Sequence, residues 1–274
     1  MLGKFRASRR GPICGAPTAM RAYTADALVL RSYRYGEADR IVVFLTEDRG
    51  KKRGVAKSAS VSRRRFGGAL GSLTRGAVTY VERDYRELVR IDRIEPHGHP
   101  LRAATDRDGD EAAQALGHQA YFAELLDEWA PDAAPNERLF RLGAAIGDAL
   151  ERAAPVEPLA RYFEYWLMRL EGVYPATDIC PRCGQARLTE GAVLVVADRV
   201  YVCGECAHGG PRLSREAIGF LRIAARATPD AAAVAATPAG ALREIEAVHH
   251  LLIAAHLEKE LRSTRVVKEL RPEL

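Results

Sequence analysis

The sequence has no long hydrophobic run and no apolar segment behind its basic first residues. No stretch approaches the ~20 apolar residues that a membrane-spanning helix needs. Four basic residues lie within residues 1–10, but no hydrophobic core of signal-peptide type follows them. These absences exclude the usual marks of an exported or membrane-anchored protein, so we expect a cytoplasmic protein with no membrane partner.

Familiar catalytic patterns are also missing. The chain contains no GxxxxGK[ST], no GxGxxG after a strand, no HExxH and no GxSxG. His249, His250 and His256 lie in a predicted helix without carboxylates at ligand spacing, so we interpret them as surface or core histidines. The acidic run at 106–111 suits the start of a helix, where negative charge is favourable. We therefore expect no catalytic residues and a protein that is not an enzyme.

The charge of the 274-residue chain is unevenly distributed. Residues 1–95 hold 21 Lys and Arg against 10 Asp and Glu, a net charge of +11. The remainder holds 20 against 26, a net charge of −6. A strongly basic N-terminal third indicates a polyanionic partner for that part of the chain.

The spacing of apolar residues predicts an α+β protein. Five short β-branched runs within residues 23–96 predict a small OB-fold β-barrel, preceded by a disordered basic extension at 1–22. After the break at Pro96–Pro100 the period changes to about 3.6, which predicts a helical domain over 97–274 with a zinc finger at 178–208.

Several helices are expected in this second part. One apolar stripe predicts a helix with Leu116, Ala120 and Leu126 on its buried face, and later stripes begin after Pro135 and at Pro158. Ser214 is a suitable N-cap for another helix. The Ala- and Pro-rich segment 228–240 is predicted to be a linker or a poorly ordered loop, and a single last helix is expected from Ala241 through Leu261.

Four of the five cysteines form the pattern C-x2-C-x19-C-x2-C. Each pair of cysteines has two residues between its members and forms a knuckle, so two knuckles can direct four sulfurs at one ion. An apolar hairpin with its turn near Ala197 joins the knuckles, as in a zinc ribbon. Four thiolates leave no open position, so we expect structural Zn²⁺. Disulfides, a redox pair and an iron–sulfur cluster are the alternatives, while Cys14 and His208 are not expected to be ligands. The predicted metal ligands are Cys180, Cys183, Cys203 and Cys206.

A basic segment with interspersed aromatic residues follows the first predicted strand. Clustered cations suit phosphates, and flat side chains such as Tyr33, Tyr35 and Phe66 suit unpaired bases. The alternative is a solvated basic face over core aromatics. The predicted DNA-binding residues are Arg34, Arg40, Lys51, Lys52, Arg53, Lys57, Arg63, Arg64, Arg65 and Arg75.

Short motifs in a fixed order give the chain a resemblance to a known family. Ala27–Leu30, Gly36–Arg40, Gly54–Ser58, Phe163–Glu164 before the cysteines, and Leu261–Ser263 at the end resemble the bacterial DNA repair protein RecO family over residues 22–270. The extension before Met20 and the segment 228–240 depart from that pattern.

The resemblance implies a recombination mediator associated with the nucleoid. RecO-like proteins bind single- and double-stranded DNA, anneal complementary strands, partner with RecR and help to load RecA; some contact the single-stranded DNA-binding protein. Two alternatives remain from the residues themselves. One is a nucleic-acid-processing enzyme that uses the ribbon as a clamp, and the other is a zinc-ribbon protein that binds only other proteins.

Overall fold

A computed structural model describes residues 20–83, 87–98, 108–185 and 187–270, with the side chain of Arg63 outside that description. Residues 1–19 of the predicted extension, which include Cys14, and Asp106 of the acidic run lie outside the described residues. Within the described residues, no helix is long and apolar enough to cross a bilayer.

Five strands close into a barrel in the order β1-β2-β3-β5-β4, and all of its neighbouring pairs are antiparallel except β3 with β5. This is the predicted OB-type architecture, and the α+β class is confirmed. The first strand begins at Met20, three residues before the predicted boundary, because Met20–Ala22 pair with β4. The elements are β1 Met20–Tyr35, β2 Asp39–Thr46, β3 Gly50–Ala56, a short helix α1 Arg63–Phe66, β4 Arg75–Arg83 and β5 Leu88–Pro96.

The two faces of β2 separate two hydrophobic cores. Val42 and Phe44 point into the barrel with Tyr80, whereas Val43 and Leu45 point out of it and join the core of the helical part. This alternation follows from the period of two along a strand. The barrel therefore packs one part of its outer surface against the helices.

Eight α-helices, counting α1, and one short 3-10 helix at Leu188–Glu190 lie within the described residues. Asn136 caps α3 and Ser214 caps α5, each through a side-chain oxygen that accepts from a backbone N–H, as predicted for Ser214. Helix α4 begins at Val156, two residues before the predicted start at Pro158. The remaining elements are α2 Gly109–Trp129, α3 Glu137–Glu151, α4 Val156–Leu170, α5 Arg215–Ala224, α6 Pro229–Ala233, α7 Ala239–Leu257 and α8 Arg262–Glu269.

The predicted buried stripe of α2 is wrong in part. Leu116 is 40 % exposed and Ala120 is also exposed, whereas Tyr121 and Phe122 are buried. Helix α2 packs against β1, α3, α4 and α8, so tertiary contacts on several sides set its buried surface. An Ala-rich stripe has too little apolar surface area to determine which face of the helix is buried.

Two further predictions in the C-terminal part are corrected. The segment 228–240 is not a loop throughout: Thr228 caps α6, and Ala232 and Ala233 are buried where α6 packs on α4. Small side chains permit that close approach. The expected single last helix is two helices, because Glu258 adopts φ 54° and the chain turns before α8.

The cysteine segment forms a small three-stranded sheet in the order β7-β6-β8. Its strands are β6 Gly191–Val195, β7 Val200–Val202 and β8 Arg212–Ser214, and the turn between β6 and β7 covers residues 196–199 as predicted. Leu194 and Tyr201 are fully buried against the helices, so the ribbon is anchored to the helical core.

Candidate metal centre and nucleic-acid interface

The four predicted cysteine ligands come together in space. Their sulfur atoms all lie within 4.8 Å of one another. A tetrahedral ion with metal–sulfur bonds of ~2.3 Å has sulfur–sulfur distances of about 3.8 Å, which lie within that limit. Among the described residues this is the one cluster of three or more such ligand groups, and it is compatible with a bound metal.

The protonation of the sulfurs suits metal capture. Burial disfavours the thiolate of Cys180, but backbone N–H groups of Cys183 and Cys203 outweigh burial and lower the pKa of Cys180 to about 6. Hydrogen bonding to Cys203 raises the pKa of Cys206 to about 12. A cation that entered the cluster would displace the retained proton, as is general for thiolate sites.

A buried chain of hydrogen bonds connects the ribbon to the helices. Tyr201 of β7 donates to the hydroxyl of Tyr174 at 3.3 Å, and Tyr174 lies 3.1 Å from Nε2 of His249. Nδ1 of His249 lies 2.9 Å from Oε2 of Glu164. Because an ionised carboxylate can only accept, His249 carries its proton on Nδ1 and accepts from Tyr174. The sequence prediction of a core histidine therefore holds for His249.

Glu164 is the centre of this buried network. Its other oxygen accepts from Tyr121 at 2.8 Å and lies 3.0 Å from the guanidinium of Arg161. Burial alone would raise the pKa of Glu164, but Arg161 and His249 hold it at about 2. Burial lowers the pKa of His249, so this imidazole is neutral at neutral pH. Sequence spacing could not reveal the pairing, because Glu164 and His249 are 85 positions apart.

Four of the predicted DNA-binding residues are exposed cations. Within the described residues, their side chains donate no hydrogen bond and form no ion pair. They lie on β1, β3, the segment after β3 and α1, so they share one barrel. These residues are Arg34, Arg53, Lys57 and Arg64.

Three other predicted residues form hydrogen bonds or ion pairs with other parts of the protein. Lys51 is only 8 % exposed and donates to the backbone oxygen of Asp127 at 2.6 Å. Lys52 pairs with Glu82 at 2.8 Å, and Arg75 makes two hydrogen bonds to one oxygen of Asp26. Burial of Lys51 makes phosphate contact by this residue unfavourable, because its ammonium would have to leave Asp127.

Two of the last three predicted residues are intermediate cases, and the side chain of the third is not described. Arg40 is half-buried and donates to Ser32 at 3.4 Å. Arg65 donates to Ser62 and to the backbone oxygen of Lys57, and lies over the ring of Phe66. Arg63 is the first residue of α1, and its side chain lies outside the described residues.

Sequence reasoning missed cations that the fold brings beside Arg53. Arg21 and Arg83, neighbours on β1 and β4 at one end of their pairing, line a groove of about 550 Å³ together with Lys52 and Arg53. Arg21 lies in the segment assigned to the extension, and only the strand pairing reveals its place. The groove also contains Glu82 and Asp132, so its lining has mixed charge.

These features define an α+β protein built on an oligonucleotide-binding type of barrel with a cysteine-rich ribbon in its helical part. Two family models match the chain: the recombination protein O N-terminal model over residues 20–99 and its C-terminal model over residues 111–265. The chain belongs to the RecO family of DNA repair proteins, which gives it a role in DNA repair and recombination.

Individual relatives agree with the family models. The chain is 33 % identical over 246 residues to a DNA repair protein RecO of Koribacter versatilis, covering 90 % of this chain and 98 % of the relative. It is 36 % identical over 251 residues to that of Anaeromyxobacter dehalogenans (strain 2CP-C), covering 89 % and 95 %. The corresponding protein of Geobacter metallireducens is 33 % identical over 254 residues, covering 93 % and 100 %.

Proposed function

We propose that this protein binds single- and double-stranded DNA through its barrel and anneals complementary strands. In the same proposal it acts with RecR to help load RecA onto single strands, and the single-stranded DNA-binding protein is a further partner. Family membership supports the role in recombination. The observation that carries the DNA site is that four of the ten predicted residues are exposed cations in the barrel region with no partner among the described residues: Arg34, Arg53, Lys57 and Arg64.

The chemistry of annealing fits such a surface. Two strands repel each other through their phosphates, so a surface that brings them together must neutralise that charge. Phosphate contacts carry no sequence information, which suits a protein that must pair any two complementary strands. Each contact releases counterions, so affinity should fall steeply as salt rises.

We propose that the barrel is the DNA-binding unit and the helical part with its ribbon is the scaffold. The barrel holds the four exposed cations Arg34, Arg53, Lys57 and Arg64, whereas Lys51 and its partner Asp127 tie it to α2. In this assignment the barrel unit starts at residue 20 and ends at residue 96, and the ribbon at 178–208 is an insertion in the helical unit.

We propose that Cys180, Cys183, Cys203 and Cys206 hold a structural Zn²⁺. Support comes from an all-sulfur ligand set whose sulfur atoms lie within 4.8 Å of one another and from the hairpin that joins the knuckles. When bound, the ion would supply cross-linking of the two knuckles. Four protein ligands leave no coordination position for substrate or water, so the proposed role of the ion is to stabilise the fold.

A strand-annealing assay tests the proposed function. Purified protein is mixed with two complementary labelled strands, with and without Mg²⁺, and the products are separated on native and denaturing gels. We expect duplex formation with no shortened strands in either condition. Cleavage would instead favour a nucleic-acid-processing enzyme. Failure to shift single strands at low salt would favour a ribbon protein that binds only proteins.

A further inference from the structure

A second groove on the barrel has the lining of a base-binding site. It has a volume of about 690 Å³ and is lined by residues of all five barrel strands. Tyr35, Val55 and Leu88 contribute apolar surface, and Lys57 and Arg83 contribute positive charge. Tyr35 is 51 % exposed, so a flat aromatic face remains open to solvent beside the cations.

Strand register explains why these residues lie on the outer surface. Ile41 pairs with both Tyr33 and Val55, and Val55 pairs with Arg90, so these four residues form one row across β1, β2, β3 and β5. Their neighbours Val42 and Val89 belong to the barrel interior, which directs this row outward. Tyr35 is two residues beyond Tyr33 on the same face.

We propose that this groove takes the unpaired bases of single-stranded DNA, with Tyr35 as the stacking residue, and so distinguishes single strands from duplex. The inference rests on the proposed DNA-binding function of the barrel. Every base has an aromatic face, so stacking on Tyr35 tolerates any sequence. The phosphates of the same strand are then held at the rim by Lys57, Arg83 and their neighbours.

The carboxylates in the groove support a division between bases and phosphates. Asp39 and Glu87 also line it, and Asp39 accepts a hydrogen bond from the backbone N–H of Ser58 at 2.8 Å. A carboxylate repels a phosphate, but its oxygens accept hydrogen bonds from the amino groups of bases. The groove interior therefore favours bases, while the cations at its rim favour phosphates.

This arrangement makes the protein bind the single-stranded reactants of annealing more tightly than the duplex product. Single strands reach both the groove and the cations, whereas a duplex hides its bases and reaches the cations alone. Once two strands pair, the stacking contact with Tyr35 is lost and the duplex product is held more weakly than either reactant. Product release then needs no energy source beyond base pairing.

The test compares Tyr35→Ala with Tyr35→Phe and with Val234→Ala, a control at an exposed apolar side chain near α6. Dissociation constants are measured for a 30-nucleotide single strand and for the matching duplex at several salt concentrations. Tyr35→Ala should weaken single-strand binding about tenfold while duplex binding stays within about twofold, and Tyr35→Phe should restore the preference. The salt dependence should match the wild type in all three.

The outcomes separate this inference from the function on which it rests. If Tyr35→Ala binds single strands as tightly as the wild type, the stacking role is wrong, although the cations can still bind DNA. If single-strand and duplex binding weaken equally, Tyr35 supports the barrel rather than reading unpaired bases, and the proposal also fails. If the wild type binds neither DNA, the proposed function itself is overturned.

Discussion

Lys51 of β3 donates a hydrogen bond of 2.6 Å to the backbone oxygen of Asp127 in α2 and lies 3.4 Å from the carboxylate of the same residue. A second carboxylate, that of Asp132, is 3.5 Å away. A lysine within a run of basic residues, expected to bind DNA, thus connects the barrel to the helices. Its partner Asp127 also pairs with Arg31 of β1 at 3.3 Å, so two strands are held to one helix.

Replacing Lys51 with Met should destabilise the protein by about 3 kcal/mol, because Asp127 is left as a nearly buried charge with a weaker partner. The salt dependence of DNA binding should not change. Lys57→Met, at an exposed lysine, is the matched control and should alter stability by less than ~0.5 kcal/mol while flattening the salt dependence. Denaturant unfolding and binding titrations measure both quantities. A flatter salt dependence for Lys51→Met would return this residue to the DNA site.

Glu164→Gln tests the buried network. The substitution removes the nearest negative charge from Arg161, which is 2 % exposed, and should cost about 3–5 kcal/mol. Arg152→Gln breaks an exposed ion pair with Asp230 in the same helical part and should cost less than ~1 kcal/mol. Equal small losses in the two variants, measured by denaturant unfolding, would show that the network adds little to stability.

Stability should fall as the solution is acidified below pH 6.5. Burial lowers the pKa of His118, His249 and His250 in the folded protein, so the unfolded chain takes up their protons first. Each contributes stability that is complete above pH 6.5 and is lost below it, at up to ~1.4 kcal/mol per pH unit. Glu164, with a pKa of about 2 when folded, adds a further loss below pH 4.5.

Urea unfolding at pH 7.5 and pH 5.5 measures this loss. His249→Gln removes one of the three groups, so its stability should depend on pH less steeply than that of the wild type, by up to about one proton. A wild-type protein that became more stable between pH 7.5 and pH 5.5 would contradict the assignment of neutral buried histidines.

Replacing Cys180 or Cys203 with Ser should abolish stoichiometric Zn²⁺ binding and destabilise the protein by at least ~3 kcal/mol. Bound metal is measured by elemental analysis, and stability by thermal unfolding with and without a chelator. DNA affinity of the fraction that stays folded should be unchanged, because the cations that we propose to bind phosphates lie on the barrel. A folded Cys203→Ser variant that had lost all DNA binding would place the ribbon in the DNA site.

Local patterns were sufficient for the parts of this fold that depend on local chemistry. The β-branched run Arg40–Thr46 predicts a strand, and the two CxxC knuckles predict the sulfur cluster without knowledge of the fold. Ser214 as an N-cap is likewise a contact between near neighbours in sequence.

The rest depends on contacts between residues distant in sequence. The positive charges of Lys51 and Arg53 are equivalent in the sequence, yet only the packing of α2 buries the first. Arg21 and Arg83 become neighbours of Arg53 only when β1 pairs with β4 and the barrel closes. The prediction of a loop at 228–240 was wrong because it rested on composition, which does not show the helix against which the alanines of this segment are buried.

The most direct test is the salt dependence of single-strand affinity for a variant in which Arg34, Arg53, Lys57 and Arg64 are all replaced by Ala. If these four cations bind phosphates, the slope of log affinity against log salt should become shallower by about 2.8, with unfolding free energy nearly unchanged. A folded variant with the wild-type slope would show that the DNA site of this protein lies elsewhere.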